Sequence, residues 1–87
     1  MRYRVGVRIM PRQGILDPQG QAVAHALASL GFDGVAAARV GRSIELAVDA
    51  SGEADARAQA KRMCERLLAN PVTEDFVVDA AEAEGVA

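Results

Sequence analysis

Two side chains in this 87-residue sequence have acid–base or nucleophilic character near neutral pH, His25 and Cys64, and each is the single residue of its type. His25 stands between Ala24 and Ala26, at the edge of a helical stripe that contains Ala22 and Leu27. A general base needs an orienting partner, and a structural or interfacial role is expected for it. Cys64 falls on an apolar stripe with Ala56, Ala60, Met63 and Leu67. A nucleophilic thiol needs a basic, exposed neighbourhood, so Cys64 is expected to be an inert core thiol. One cysteine excludes an internal disulfide and any Cys-rich metal site. Arg12, just after an apparent strand, suggests the anion cradle of an acyl-phosphate hydrolase, but Pro11 and Gln13-Gly14-Ile15-Leu16 do not make that loop. An RNA-recognition sheet needs aromatic residues on its central strands, and only Tyr3 qualifies, on the inward face. No catalytic residue and no metal ligand set is expected.

The elements that carry these residues can be read from periodicity. Residues 3–9 alternate, with Tyr3, Val5, Val7 and Ile9 on one face and Arg4, Gly6 and Arg8 on the other, as in a half-buried strand. Asp17-Pro18 reads as a helix start: the carboxylate caps free N–H groups, and proline fits the first helical position. The helix runs over about 18–30, with Gly31 as a left-handed cap. Residues 35–40, rich in alanine, read as a second strand joined by Gly41-Arg42 to a third over 43–50, a hairpin signal. Ser51 is placed to cap a second helix, which Asn70-Pro71 stops. A last strand is expected over 74–79, followed by a loose acidic tail from Ala80 to Ala87.

The order β-α-β-β-α-β with right-handed crossovers predicts a single α+β domain over residues 1–79. Its plan is ferredoxin-like: a four-stranded antiparallel sheet, in the order fourth–first–third–second, with both helices on one face. Outward Arg4 and Arg8 would then face Asp75 and Asp79 across the first and last strands, which suits cross-strand ion pairs. The open face carries Gly6, Ala37, Ala47 and Val77, which suits either water or the close approach of another chain.

Composition limits the function classes. The net charge is −2 and aromatic residues make up 3%, so neither a polyanion-attracting field nor a base-stacking platform is available. No nucleic-acid partner is expected. No apolar run reaches the ~18 residues of a membrane span, and Met1-Arg2-Tyr3-Arg4 leads into a strand rather than a signal peptide. No membrane association and a cytoplasmic location are expected. A chain of this mass exposes about 4,900 Å² when compactly folded, which allows one thin core and no deep cavity.

Some residues are too particular for folding alone. Gly14 to Gly20 sets two glycines, a proline and an amide around one helix start. Gly20, inside the first turn, costs about 1 kcal/mol relative to alanine, which makes sense if a backbone comes close there. Asn70-Pro71-Val72 is a similarly sharp stop. The string from Gly14 to Val35 (GILDPQGQAVAHALASLGFDGV), Arg39-Val40-Gly41-Arg42, and Met63-Cys64-Glu65-Arg66-Leu67-Leu68-Ala69-Asn70-Pro71-Val72 together resemble the PurS family of phosphoribosylformylglycinamidine synthase subunits. The likeness extends from Tyr3 to about Val78, with arginine at 12 and 42 where the family tends to have lysine.

The resemblance implies a non-catalytic small subunit of an ATP-dependent ligase complex of de novo purine synthesis. Such a subunit bridges a PurL-type synthetase and a PurQ-type glutaminase and supports transfer of ammonia from glutamine. It also implies a homodimer or tetramer, and no cofactor on this chain, while the complex uses ATP, Mg and glutamine. Arg12, Asp17, Pro18, Gln19, Gly20, Arg39, Gly41, Arg42, Asn70 and Pro71 are the expected partner or dimer contacts. A stand-alone ferredoxin-like regulatory domain, binding a small ligand at a dimer seam, is the alternative; a small acylphosphatase-type enzyme is a more remote one.

Overall fold

The computed structural model describes residues 1–84 as β1 (Arg2–Pro11), α1 (Pro18–Ser29), β2 (Arg42–Asp49), α2 (Glu53–Met63), a short π-helical extension (Cys64–Leu68) and β3 (Glu74–Ala83). β1 is the central strand because its alternation is strict. Val5, Val7 and Ile9 are wholly buried, while Arg2, Arg4 and Arg8 reach solvent. β2 and β3 pair with it on either side, both antiparallel, giving the order β2-β1-β3. This is the expected strand order with one member missing.

The missing member is the strand expected over 35–40, which does not form, so the sheet among the described residues has three strands rather than four. Ala36, Ala37 and Ala38 lack the branched side chains that favour a pleated surface. The Val40 N–H goes to the Asp17 carboxylate at 2.9 Å instead of to a strand neighbour.

β3 also departs from the expectation, continuing through Ala80 to Ala83 where a loose tail was expected. A bulge opposite Gly6 and Val7 explains this: Val7 pairs with Val78 and Gly6 with Ala80, leaving Asp79 extra. An extra residue reverses which side chains point inward. Ala81 therefore enters the core, and Glu82 comes opposite Arg4 on the outer face. Residues 85–87, the end of that expected tail, lie outside the described residues.

The outer face is a ladder of arginines, three on β1 and Arg12 just past its end, flanked by acids on both neighbours. Arg2 meets Asp49 at 2.9 Å, Arg8 meets Asp79 at 3.5 Å, Arg12 meets Asp75 at 3.0 Å, and Arg4 lies between Glu45 and Glu82 at 4.0 and 3.7 Å. All are well exposed, and such pairs contribute little individually.

α2 covers the inner face, with Ala56, Ala60 and Cys64 wholly buried against Val5, Val7, Val48 and Ala81. Small residues let the helix approach the sheet closely. Ser51 does not cap this helix; the N-cap is Gly52, without a side-chain bond. The reach runs the other way: Asp55 Oδ2, one turn in, accepts from the Ser51 N–H at 3.0 Å and from Gln59 Nε2 at 3.1 Å. At its far end α2 widens into the π turn, where the Ala69 N–H donates to the Cys64 carbonyl at 3.0 Å.

Burial pushes the Cys64 thiol pKa up, which suits the expected inert thiol. The native protein is expected to leave Cys64 unreacted with an aromatic disulfide reagent at pH 8 and to react stoichiometrically in denaturant. Rapid native labelling would contradict the packing of the α2 end.

Candidate functional site

β1 ends at Ile9-Met10-Pro11, and the two neighbouring strands begin on either side of that end. Arg42 opens β2 opposite Ile9, and Glu74 opens β3 opposite Pro11. Their side chains meet over the strand end in a two-pronged pair, at 2.7 and 3.0 Å, and Arg42 also donates to the Leu68 carbonyl at 2.7 Å. Glu74 accepts from the Asn70 N–H at 2.8 Å as well. One ion pair thus joins the start of β2, the end of the π turn and the start of β3. Paired and charge-assisted bonds of this kind are the stronger members of their class.

The turn on the β3 side is closed by Asn70. Its Oδ1 accepts from the Val72 N–H at 3.0 Å, and its carbonyl accepts from Thr73 and Glu74 at 3.2 and 2.8 Å. Asn70-Pro71 is therefore more than a helix stop: it sets the entry of β3 and orients Glu74.

On the other side lies the root of α1. Asp17 is its N-cap and Pro18 its first residue, as the sequence indicates. Asp17 Oδ1 accepts from the Gly20 N–H and Oδ2 from the Val40 N–H, both at 2.9 Å. A single carboxylate thus clamps the chain leaving β1 to the chain returning toward β2. Arg39 adds a bond from its guanidinium to the Pro11 carbonyl.

Both glycines of this region are explained by contact. A Cβ on Gly20 would stand 2.3 Å from the Ala38 carbonyl oxygen, and one on Gly41 would stand 2.2 Å from that of Ile9. The backbone that approaches Gly20 is the chain's own residue 38.

These contacts shape a cleft of about 340 Å³, lined among others by Asp17, Pro18, Gln19, Gly41, Arg42 and Glu74. Gly20 and Arg39 stand behind its wall as clamps. Arg12 and Pro71 line a hollow of about 510 Å³ that shares Glu74 with the cleft, beside Cys64 and Phe76, while Asn70 lines neither. Sequence reasoning missed Glu74 as a site residue. The signal that would find it is register: Arg42 pairs with Ile9 and Glu74 with Pro11, two residues along the same face of β1, a diagonal that a long arginine side chain can span.

The electrostatics are those of a scaffold. The Val40 and Gly20 N–H groups hold the Asp17 carboxyl below the usual carboxylate range, helped by Arg39. Arg42, then the Asn70 N–H, do the same for Glu74. Acids whose folded pKa is depressed lend stability above their unfolded pKa, and that stability is lost as pH falls through the folded value. The urea midpoint is therefore expected to be flat near neutrality and to drop below the ordinary carboxylate range. In Asp17→Asn that drop should be shallower; an unchanged acid limb would contradict the clamp. Among the described residues no group of three or more His, Cys, Asp and Glu could hold a metal ion, and no helix is long and apolar enough to cross a membrane.

The geometry can be set beside known proteins. The PurS family, described as phosphoribosylformylglycinamidine (FGAM) synthase, matches residues 4–82. The PurS subunit of Synechocystis is 41% identical over 83 residues, covering 95% of this chain and 83% of that protein. Thermus thermophilus PurS superposes with a TM-score of 0.89 at 39% identity, covering 98% of this chain and all of that one. A chain in the structure of PurLQS from Thermotoga maritima superposes with a TM-score of 0.82 at 30% identity, covering 91% of this chain and 96% of that one. Likeness at this level over nearly the whole length settles the family. The chain belongs to the PurS family of phosphoribosylformylglycinamidine synthase subunits.

Proposed function

We propose that this chain is the small, non-catalytic subunit that joins a PurL-type synthetase to a PurQ-type glutaminase in the cytoplasm and supports glutamine-dependent ammonia transfer in purine synthesis. The observation that carries the reading is the likeness, over nine-tenths of the chain, to a component of the T. maritima PurLQS structure. The site agrees with it. The Asp17, Arg42 and Glu74 side chains are each committed to a bond within the chain, which suits positioning rather than turnover. ATP, Mg and glutamine are then used by the partner subunits, and this chain binds none of them. We take the parent architecture to be the ferredoxin-like plan with its second strand left out of the sheet.

Assembly tests this reading. Mixed with the PurL and PurQ subunits of the same organism, the chain should enter a single complex in sedimentation or light-scattering measurements, with ligands of the reaction present. Failure to bind PurL under all ligand conditions would overturn it.

A further inference from the structure

Ten residues of this chain are lysine or arginine, and those that come first in the sequence are each bonded to another group of the chain. Arg2, Arg4, Arg8, Arg12, Arg42 and Arg57 are in ion pairs, and Arg39 donates to the Pro11 carbonyl. The remaining cations, Lys61, Arg62 and Arg66, have no ion-pair or hydrogen-bond partner among the described residues. They are exposed and lie together, at the end of α2 and in the π turn that extends it.

Beside them stands Leu67, 83% exposed and the most exposed large apolar side chain among the described residues. α-Helical spacing puts it on the buried stripe with Ala56, Ala60 and Cys64. The π turn over Cys64–Leu68 closes one residue later than an α-helical turn, so Leu68 packs against the core in its place and Leu67 turns outward. Departures of this kind recur at functional sites. Leu67 and Met63 line a shallow hollow of about 350 Å³ together with Gln59, Arg62 and Arg66. Glu65, the acid nearest in sequence, lines the separate hollow beside Arg12 and Phe76 instead. Cations in a last helical turn complement the helix dipole, but the dipole calls for no leucine among them.

We propose that this corner of the chain docks an acidic segment of one of the two larger subunits. That segment sets an apolar side chain between Met63 and Leu67 and carboxylates against Arg62 and Arg66. The inference rests on the proposed function, which supplies those subunits. Charge and apolar area together decide the class of partner. A chain of net charge −2 does not attract a polyanion as a whole, and a nucleic acid or phosphate held by charge has no use for Leu67. Methionine and arginine around an apolar centre are what protein interfaces concentrate.

Binding of the fluorescently labelled chain to the PurL and PurQ subunits of the same organism, separately and together, tests the surface. Leu67→Asn should weaken binding of one subunit at least about tenfold, as expected for the loss of one apolar anchor. Arg62→Glu/Arg66→Glu should weaken the same step, whereas Arg62→Lys/Arg66→Lys should keep most of the affinity. The parent's affinity for that subunit should fall as salt rises, since exposed charges are screened. These positions are on the surface, so Tm should stay near that of the parent, and binding of the other subunit should be unchanged. A parent that joins the complex while Leu67→Asn and the charge reversal bind both subunits as tightly would overturn this inference and leave the proposed function standing. A parent that binds neither subunit under any ligand condition would overturn the proposed function, and this inference with it. Variants that change only the self-association of the chain would assign the corner to a second copy, and overturn it as well.

Discussion

Gly20→Ala is expected to destabilise this protein, against the sign that helix propensity gives. Inside a helix, alanine is favoured over glycine by about 1 kcal/mol. Here the added Cβ would meet the Ala38 carbonyl oxygen at 2.3 Å and Asp17 Oδ2 at 2.4 Å. Neither can give way cheaply. The Asp17 carboxylate is bonded to two backbone N–H groups, and one of those, on Val40, belongs to the segment that would have to move. Overpacking of this kind costs about 1–3 kcal/mol, and each kcal/mol lowers Tm by roughly 4–8 °C in a domain of this size. Calorimetry of the parent and Gly20→Ala proteins decides the matter. A Tm unchanged or raised would mean that residues 38–41 are not held against the helix start.

The second large effect is expected at Ile9→Ala. Ile9 is wholly buried, and its carbonyl is the atom against which Gly41 lies. Truncating it removes core volume directly beneath the clamp, and isoleucine to alanine in a core costs about 2–5 kcal/mol. A small domain has on the order of 5–15 kcal/mol in total, and in this one a single helix covers the sheet, so few neighbours can collapse into the space. The urea midpoint should fall steeply, whereas Val77→Ala, on the outer face, should change stability by no more than about 0.5 kcal/mol. Equal, small effects at both positions would contradict the assignment of inner and outer faces.

How far the sequence alone reaches can be judged residue by residue. β1 was legible because its alternation is strict, and the α1 start because Asp17-Pro18 is a local signal that needs no tertiary information. The order of the three strands that form followed from the order of the elements together with right-handed crossovers. The strand expected over 35–40 failed because alternation was absent there, and the fate of those residues depends on a carboxylate 23 positions earlier. The end of β3 failed because a bulge at Asp79 reverses the parity of everything after it, and the composition of an acidic tail does not announce a bulge.

The site shows the same division. Gly20 was readable as a close backbone approach from its cost in a helix. Glu74 was not, because its partner Arg42 lies on another strand and only register brings them together. Both helices were expected on one face of the sheet, but no residue of α1 belongs to the core or packs against it. Its pattern of apolar residues is that of any amphipathic helix and does not show whether that face is covered.

The most direct measurement is of product formation by the reconstituted synthetase and glutaminase of the same organism, with and without this chain, from glutamine and separately from ammonium. On the proposed function, synthesis from glutamine should require the chain, while synthesis from ammonium should proceed without it. Glutamine-dependent rates that ignore the chain would contradict the account.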